Sequence, residues 1–265
     1  MAVDTNYIIT QTSYARQYAL FNYLKRGKVN SFLKSQNRPL RGLVVGAGMA
    51  YDHLLFNLKV PILGINPFEE FSWEYMELMT VLRMIHPEST VSVVDISEEV
   101  CDRLRKQSAV PVHDYYDKVP AAYHRNFLTA FDHQKLDREA LSRMNRELSR
   151  IESSRHLRLI ARVKVPQIEA IVNADFLSEN LNLDQYDVVT LMNSTQYMRD
   201  MSRIPERVTR SLRPQGLVLF VDDDFFDIDD FENAGFRTLK HDRHSERNDD
   251  GEAVSWQTAI LRKEG

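Results

Sequence analysis

The tripeptide Gly46-Ala47-Gly48 directly follows the apolar run Leu43-Val44-Val45. A buried parallel strand entering a tight turn has this pattern. Glycines let a ligand approach the backbone closely, and the helix that follows such a turn offers free N–H groups. In an open parallel sheet the ligand then lies at the carboxyl edge of the strands. Two carboxylates stand at the ends of other apolar runs: Asp95 after Val91-Ser92-Val93-Val94, and Asp175 just beyond residues 168–172. The acidic run Asp222-Asp223-Asp224 has the oxygen chemistry that suits magnesium or calcium, but it fits the first turn of a helix equally well. His241-Asp242-Arg243-His244 has metal-ligating residue types without a matching second cluster, so it reads as solvated loop, and no metal site is expected. The sequence carries no Ser/His/Asp order, paired catalytic carboxylates or phosphate loop.

Strands and helices in alternation must position these groups. The apolar runs define seven strands: Leu43–Val45, Val91–Asp95, Ile168–Val172, Val188–Met192, Leu217–Val221, Phe236–His241 and Trp256–Leu261, with 62–65 as a candidate extra. Helical periodicity covers 69–86. A second helix starts after Ser97, with Glu98 and Glu99 in its first turn and Arg103, Arg105 and Lys106 in its last, matching the helix dipole. Met201 to Leu212 reads as a helix stopped by Pro214, and 225–234 as a short acidic helix closed by Gly235. A shorter helix is expected over 51–58. The first five strands alternate with helices, which predicts a parallel sheet, and the last two form an antiparallel hairpin around a polar loop from Asp242 to Ala253.

Two segments stand outside this alternation. Residues 1–40 form a helical N-terminal arm, with Tyr14, Tyr18, Phe21 and Leu24 at helical spacing, which reads as core or docking surface or as a lid over a site. Residues 108–165 are polar and charged and form a helical insertion. The expected fold is therefore α/β: one domain over 1–265, with a seven-stranded mostly parallel sheet, an antiparallel C-terminal hairpin and helices on both faces.

Bulk properties narrow the function classes. A chain of 265 residues with 43% hydrophobic and 27% charged residues is ordinary for a soluble globular protein. Its net charge of −4 advertises neither a nucleic-acid nor an anionic-membrane partner. The single Cys101 excludes an intrachain disulfide and fits a reducing compartment. No apolar stretch approaches a membrane span, and the first residues lack the basic start and apolar region of a secretory signal, so a cytoplasmic protein is expected.

Five segments, taken in order, resemble the successive motifs of class I, Rossmann-like S-adenosylmethionine-dependent methyltransferases. They are Val45-Gly46-Ala47-Gly48, Val94-Asp95-Ile96-Ser97, Asn173-Ala174-Asp175-Phe176, Tyr186-Asp187-Val188-Val189 and Ser211-Leu212-Arg213-Pro214-Gln215-Gly216. Ala234-Gly235-Phe236 and the terminal hairpin look like that family's last elements, so the resemblance covers roughly 42–107 and 166–262. It implies S-adenosylmethionine as cofactor, held by Gly46, Ala47, Gly48, Asp95, Ile96, Asp175, Phe176 and Asn193. The glycine turn would pack against the methionine and ribose. Asp95 would accept the ribose hydroxyls, a task for which a carboxylate has two acceptor oxygens and no competing donor. Asp175 would meet the adenine amino group with Phe176 beside the ring. Asn193, Ser194 and Thr195 would lie where methyl and acceptor meet. The acceptor implied is an O or N of a small molecule or of a protein side chain, and Tyr197 or His244 is the candidate general base, as is a tyrosine of the arm.

The sequence departs from the family at several points. An acidic residue is usual two positions before the first glycine of the turn, where this chain has Val44, and its loss removes a partner for the cofactor's amino group. Ala50 and Gln215 stand where glycines are common. The step from Gly48 to Asp95 exceeds the roughly 20 residues expected, and Asn66 lies at that distance instead. Asp95 is preferred because its strand–cap–helix unit is the stronger and completes the strand count. Alternative readings are another S-adenosylmethionine-using transferase, of aminopropyl or aminobutyryl type, and a non-catalytic binding module on the same fold. A dinucleotide reading needs glycine or alanine at Tyr51.

Overall fold

The computed structural model describes residues 23–24, 27–47, 73–108, 168–183, 185–192, 194–195, 198–223, 226–247 and 253–265. Gly48, Asn66, Asn193 and Tyr197 lie outside the described residues. So do the 62–65 run, the 51–58 helix, the 108–165 insertion beyond Ser108 and most of the N-terminal arm.

The elements in chain order are α1 (Gly27–Ser35), β1 (Arg41–Val45), α2 (Trp73–Ile85), β2 (Thr90–Asp95), α3 (Glu98–Ser108), β3 (Ile171–Asn173) and β4 (Tyr186–Met192). A 3-10 turn (Met201–Arg203) leads into α4 (Ile204–Ser211), followed by β5 (Leu212–Asp223), α5 (Asp229–Asn233), β6 (Phe236–Arg247) and β7 (Ala253–Lys263). The seven strands make one sheet in the order β3-β2-β1-β4-β5-β7-β6. Strands β1 to β5 are mutually parallel, whereas β7 runs antiparallel to both β5 and β6. Strand β6 is thus parallel to the first five, and only β7 is reversed. This is the mostly parallel sheet with an antiparallel hairpin that the sequence predicts.

Burial on both faces explains why the central strands read as continuous apolar runs. Along β1, Leu43 and Val45 enter one core with Val189, Leu191, Phe220 and Phe231, while Val44 enters the other with Leu78, Leu82, Val93 and Val188. Helices α1, α2 and α3 contribute Val29, Leu33, Leu78, Leu82 and Leu104 to the core of Val44. On the opposite face α4 and α5 contribute Ile204, Val208 and Phe231. Close approach of α2 to the sheet depends on Gly42, where a Cβ would sit 2.8 Å from Leu78 Cδ2.

Several boundaries differ from expectation, among them β3, which spans Ile171–Asn173 instead of Ile168–Val172, and α5, which spans Asp229–Asn233 instead of 225–234. Strand β5 starts at Leu212 instead of Leu217, pairing Leu212 with Tyr186 before a register shift. Pro214 and Gln215, the latter at φ +63°, occupy that irregular stretch, which spares proline a ladder donor. The β6–β7 hairpin continues through the polar segment to Arg247 and Ala253, because His241 to Arg247 pair residue by residue with Ala253 to Ala259. The expected Met201–Leu212 helix divides into the 3-10 turn and α4, with Pro205 in the first helical turn, where its missing N–H does no harm.

Candidate functional site at the carboxyl edge of the sheet

From β1 the chain moves outward through β2 to β3, then returns to place β4 on the other side of β1. Such a reversal opens a crevice beyond the carboxyl ends of β1 and β4, where ligands of doubly wound sheets bind. Gly46 stands at that point. Its φ of +68° is a left-handed conformation in which a side chain is strained. Its N–H donates to Val94 C=O at 2.8 Å, tying the turn to β2. Since Val45 pairs with Val94, Gly46 comes alongside Asp95.

On the other flank Gly46 abuts Ser194: a Cβ at position 46 would lie 2.6 Å from Ser194 Cβ and 3.6 Å from its Oγ. Ser194 is 6% exposed, and its buried Oγ has no hydrogen-bond partner among the described residues. Leaving a buried hydroxyl unpaired is unfavourable, so the atom marks a place where a partner is missing. The neighbouring Thr195 is fully buried and donates both its N–H (2.9 Å) and its Oγ1–H to Asp222 Oδ2. Asp222, buried at the end of β5, therefore holds the segment after β4 in place. Nothing in the local sequence marks this pairing apart from a charged residue ending an apolar run.

Asp95 ends β2 and is 6% exposed. Its Oδ1 accepts the Ser97 N–H at 2.8 Å, and Ser97 Oγ in turn accepts the Val100 N–H at 3.4 Å, the N-cap predicted for α3. Its backbone carbonyl accepts from Asn173 Nδ2 at 3.2 Å and from Ala174 N–H at 3.0 Å. Ile96, next along, is 60% exposed, an apolar side chain at the rim. Ala47 packs partly buried against the sheet core. Asp175 follows β3 and is exposed, with Oδ1 accepting the Leu177 N–H at 2.9 Å. Below the rim, the Cys101 thiol faces the Asp95 and Val172 carbonyls at 3.7 and 3.9 Å. Burial, then the Asp95 charge, pushes the Cys101 pKa up.

The structure thus brings Gly46, Asp95, Ile96 and Ser194 to one stretch of rim, with Asp175 beyond β3. Two expectations require correction. The Phe176 ring is 4% exposed, belongs to the α4-side core and has the Arg207 guanidinium over it at 5.6 Å, so it has no face for an adenine. Arg207 is fixed there by donating from Nε to Phe176 C=O at 2.8 Å, and burial lowers its pKa, with Arg210 and Arg203 adding to the effect. His244 lies on β6, three strand steps from β4, on the order of 14 Å. Its ring stacks on Trp256 at 3.9 Å and its Nε2 meets Thr258 Oγ1 at 3.2 Å, which removes it from the general-base role. His241 Nε2 likewise meets Gln257 Oε1 at 2.9 Å; His241 lies on the strand expected for it, whereas His244 sits on a strand where a loop was expected.

Strand order and the single reversed strand define a Rossmann-like α/β fold, with a glycine turn beside a buried carboxylate at its switch point. No protein-family model and no curated protein matches the sequence. Among solved structures, the chain is similar to N-methyltransferase NodS from Bradyrhizobium japonicum WM9 in complex with S-adenosyl-L-homocysteine. That likeness has 11% identity and a TM-score of 0.45, and it covers 99% of this chain and 93% of that one. A SAM-dependent methyltransferase from Methanosarcina mazei is similar at 10% identity and TM-score 0.43, over 85% of this chain and 93% of that one. The [4+2]-cyclase SpnF is similar at 11% identity and TM-score 0.42, over 96% and 83%.

Proposed function

We propose that the protein is an S-adenosylmethionine-dependent methyltransferase that modifies an oxygen or nitrogen of a small molecule or of a protein side chain. The observation that carries this reading is the adjacency of Gly46 and Asp95 at the switch point of the sheet: a backbone without a Cβ beside a buried carboxylate. The donor set fits a nucleoside bearing an amino acid. Gly46 provides a cradle that a Cβ would fill, Asp95 a carboxylate for a ribose diol, Ile96 an exposed apolar surface for a base, and Ser194 an orphaned hydroxyl. Asp175 is the group that would meet the adenine amino hydrogens.

When bound, S-adenosylmethionine supplies a methyl already activated by its sulfonium. The protein's own work is then to orient the reactants and exclude water. Gly46 and Asp95 fix the nucleoside, while Asp222, through Thr195, holds the segment after β4 against which an acceptor would rest. With Cys101 a buried free thiol, a reducing, cytoplasmic setting suits this enzyme. Among the described residues no helix is long and apolar enough to cross a membrane.

Calorimetry of the full chain with S-adenosylmethionine and S-adenosylhomocysteine tests the reading, and binding of both is expected. Asp95→Ala should weaken that binding by about 1–3 kcal/mol, the scale of lost charge-assisted hydrogen bonds. An unchanged affinity would transfer the ribose role to Asn66. Val44 is fully buried, which favours one second reading, a binding module without catalysis, because that position has no carboxylate for the cofactor's amino group. Absence of binding to both ligands supports the module. A mass increase larger than one methyl on an offered acceptor supports an aminopropyl or aminobutyryl transferase.

A further inference from the structure

Position 44 carries a fully buried valine whose side chain belongs to the core beneath the sheet, so the strand leading into the Gly46 turn has no polar group to offer a ligand. A few residues past the end of β4, the same turn is met by Ser194. That side chain is more than nine-tenths buried, its Oγ has no partner, and it lies 3.6 Å from where a Cβ on residue 46 would be. Beside a turn whose φ of +68° glycine adopts without strain, a hydroxyl has been taken out of water with nothing among the described residues bonded to it. That hydroxyl contributes nothing to folding stability, and it is explained if a ligand completes the contact.

We propose that Ser194 Oγ is the polar contact for the amino-acid end of the bound S-adenosyl ligand, replacing the carboxylate that Val44 does not supply. The inference rests on the cofactor reading above and deepens it by naming the subsite. A hydroxyl suits the task because it accepts from an ammonium and donates to a carboxylate, and an α-amino acid carries both. Being neutral, it leaves no buried charge at the switch point when the ligand departs. A carboxylate at position 44 would have to be desolvated within the apolar cluster of Leu78, Leu82 and Val93. The Ser194 Cβ, in contact range of Gly46, sets the position of the oxygen, so removing Oγ alone keeps the packing and deletes only the hydrogen-bonding capacity.

The test is Ser194→Ala in the full chain, with calorimetric binding of S-adenosylhomocysteine and of 5′-methylthioadenosine, which has the nucleoside and sulfur but lacks the amino acid. The free protein's melting temperature is the second readout. Expected are an approximately tenfold loss of S-adenosylhomocysteine affinity, the scale of one hydrogen bond to a charged group, and unchanged 5′-methylthioadenosine affinity. The melting temperature should hold or rise, because an orphaned hydroxyl has been removed. Unchanged affinity for both ligands, or an equal loss for both, overturns the Ser194 assignment while the cofactor reading stands. A lowered melting temperature also overturns it, since the hydroxyl would then have a partner in the free protein. If the unaltered chain binds neither ligand, the cofactor reading falls and takes this inference with it.

Discussion

Replacing Gly46 by alanine separates two forces acting on one residue. The first is conformational: with φ at +68°, an added Cβ faces the following carbonyl, at a cost of roughly 1–2 kcal/mol. The second is steric, since that Cβ would come within 2.6 Å of Ser194 Cβ, closer than real Cβ atoms approach. Relieving it requires the post-β4 segment to move, yet Thr195 is pinned to Asp222 at 2.9 Å. An overpacked contact of this kind costs about 1–3 kcal/mol, so Gly46→Ala should lose about 2–5 kcal/mol in all. Gly27 and Gly235 provide the control. They have φ of +64° and +87° with nothing within 4 Å of an added Cβ, so alanine there bears the conformational term alone. Urea unfolding followed by tryptophan fluorescence, with Trp256 buried in the core, would read all three variants on one scale. The double variant Gly46→Ala/Ser194→Gly should recover the steric part, because it removes the colliding carbon. If Gly46→Ala costs no more than Gly27→Ala, the Gly46–Ser194 contact is wrong, and the convergence of the site with it.

Three further outcomes are expected. Asp187→Ala should destabilise the fold by about 2–3 kcal/mol, measured by urea unfolding. Its buried carboxylate takes Arg38 in two hydrogen bonds and the Arg41 N–H at 2.8 Å, and the 35% exposure of Arg38 keeps the figure below that of a fully buried pair. The same pairing pushes the Arg38 pKa up, although burial opposes it, so Arg38→Lys should not restore the loss. Asp222→Ala should lower stability by about 1–3 kcal/mol by depriving Thr195 of the oxygen that accepts both its donors; an unchanged melting curve refutes the tie. Cys101 should resist alkylation at pH 8 in the folded chain and react promptly in urea. Its folded pKa lies above the unfolded value, so the thiol's contribution to stability is complete below the ordinary thiol range and is lost as the pH rises through the folded pKa.

How much of this was legible depends on whether a residue's neighbours are near in sequence. Strands β1, β2, β4 and the core of β5 were legible because burial on both faces forces uninterrupted apolar runs. Asp95 was legible for a related reason: a carboxylate ending such a run is placed at the sheet's carboxyl edge. Asp242 to Arg247 were not, because β6 is the edge strand of the sheet and its last residues, Ser245 to Arg247, pair with β7 beyond the last β5 pair, Asp223 with Trp256; an edge strand of polar residues resembles a loop. Phe176 misled because residue type does not reveal which surface an aromatic covers; here the ring packs into the core, with Arg207, 31 residues on in α4, lying over it. The Ser194 hydroxyl was visible only as a member of Asn193-Ser194-Thr195, since its isolation depends on a contact with a turn at the opposite end of the chain.

The rim uses its buried polar groups unequally, and the inequality points to function. Thr195 is satisfied twice over by Asp222, and Asp187 at the other end of β4 is satisfied by Arg38 and the Arg41 backbone. Among the described residues, Ser194 Oγ just past the carboxyl end of the same strand has no partner, and there it lies beside a glycine at which an added Cβ would collide with the Ser194 side chain. Folding alone would favour alanine at position 194, because an unpaired buried hydroxyl contributes nothing and costs its desolvation. A molecule that contacts the Gly46 backbone, Asp95 and this hydroxyl together, as proposed above, would supply the missing partner.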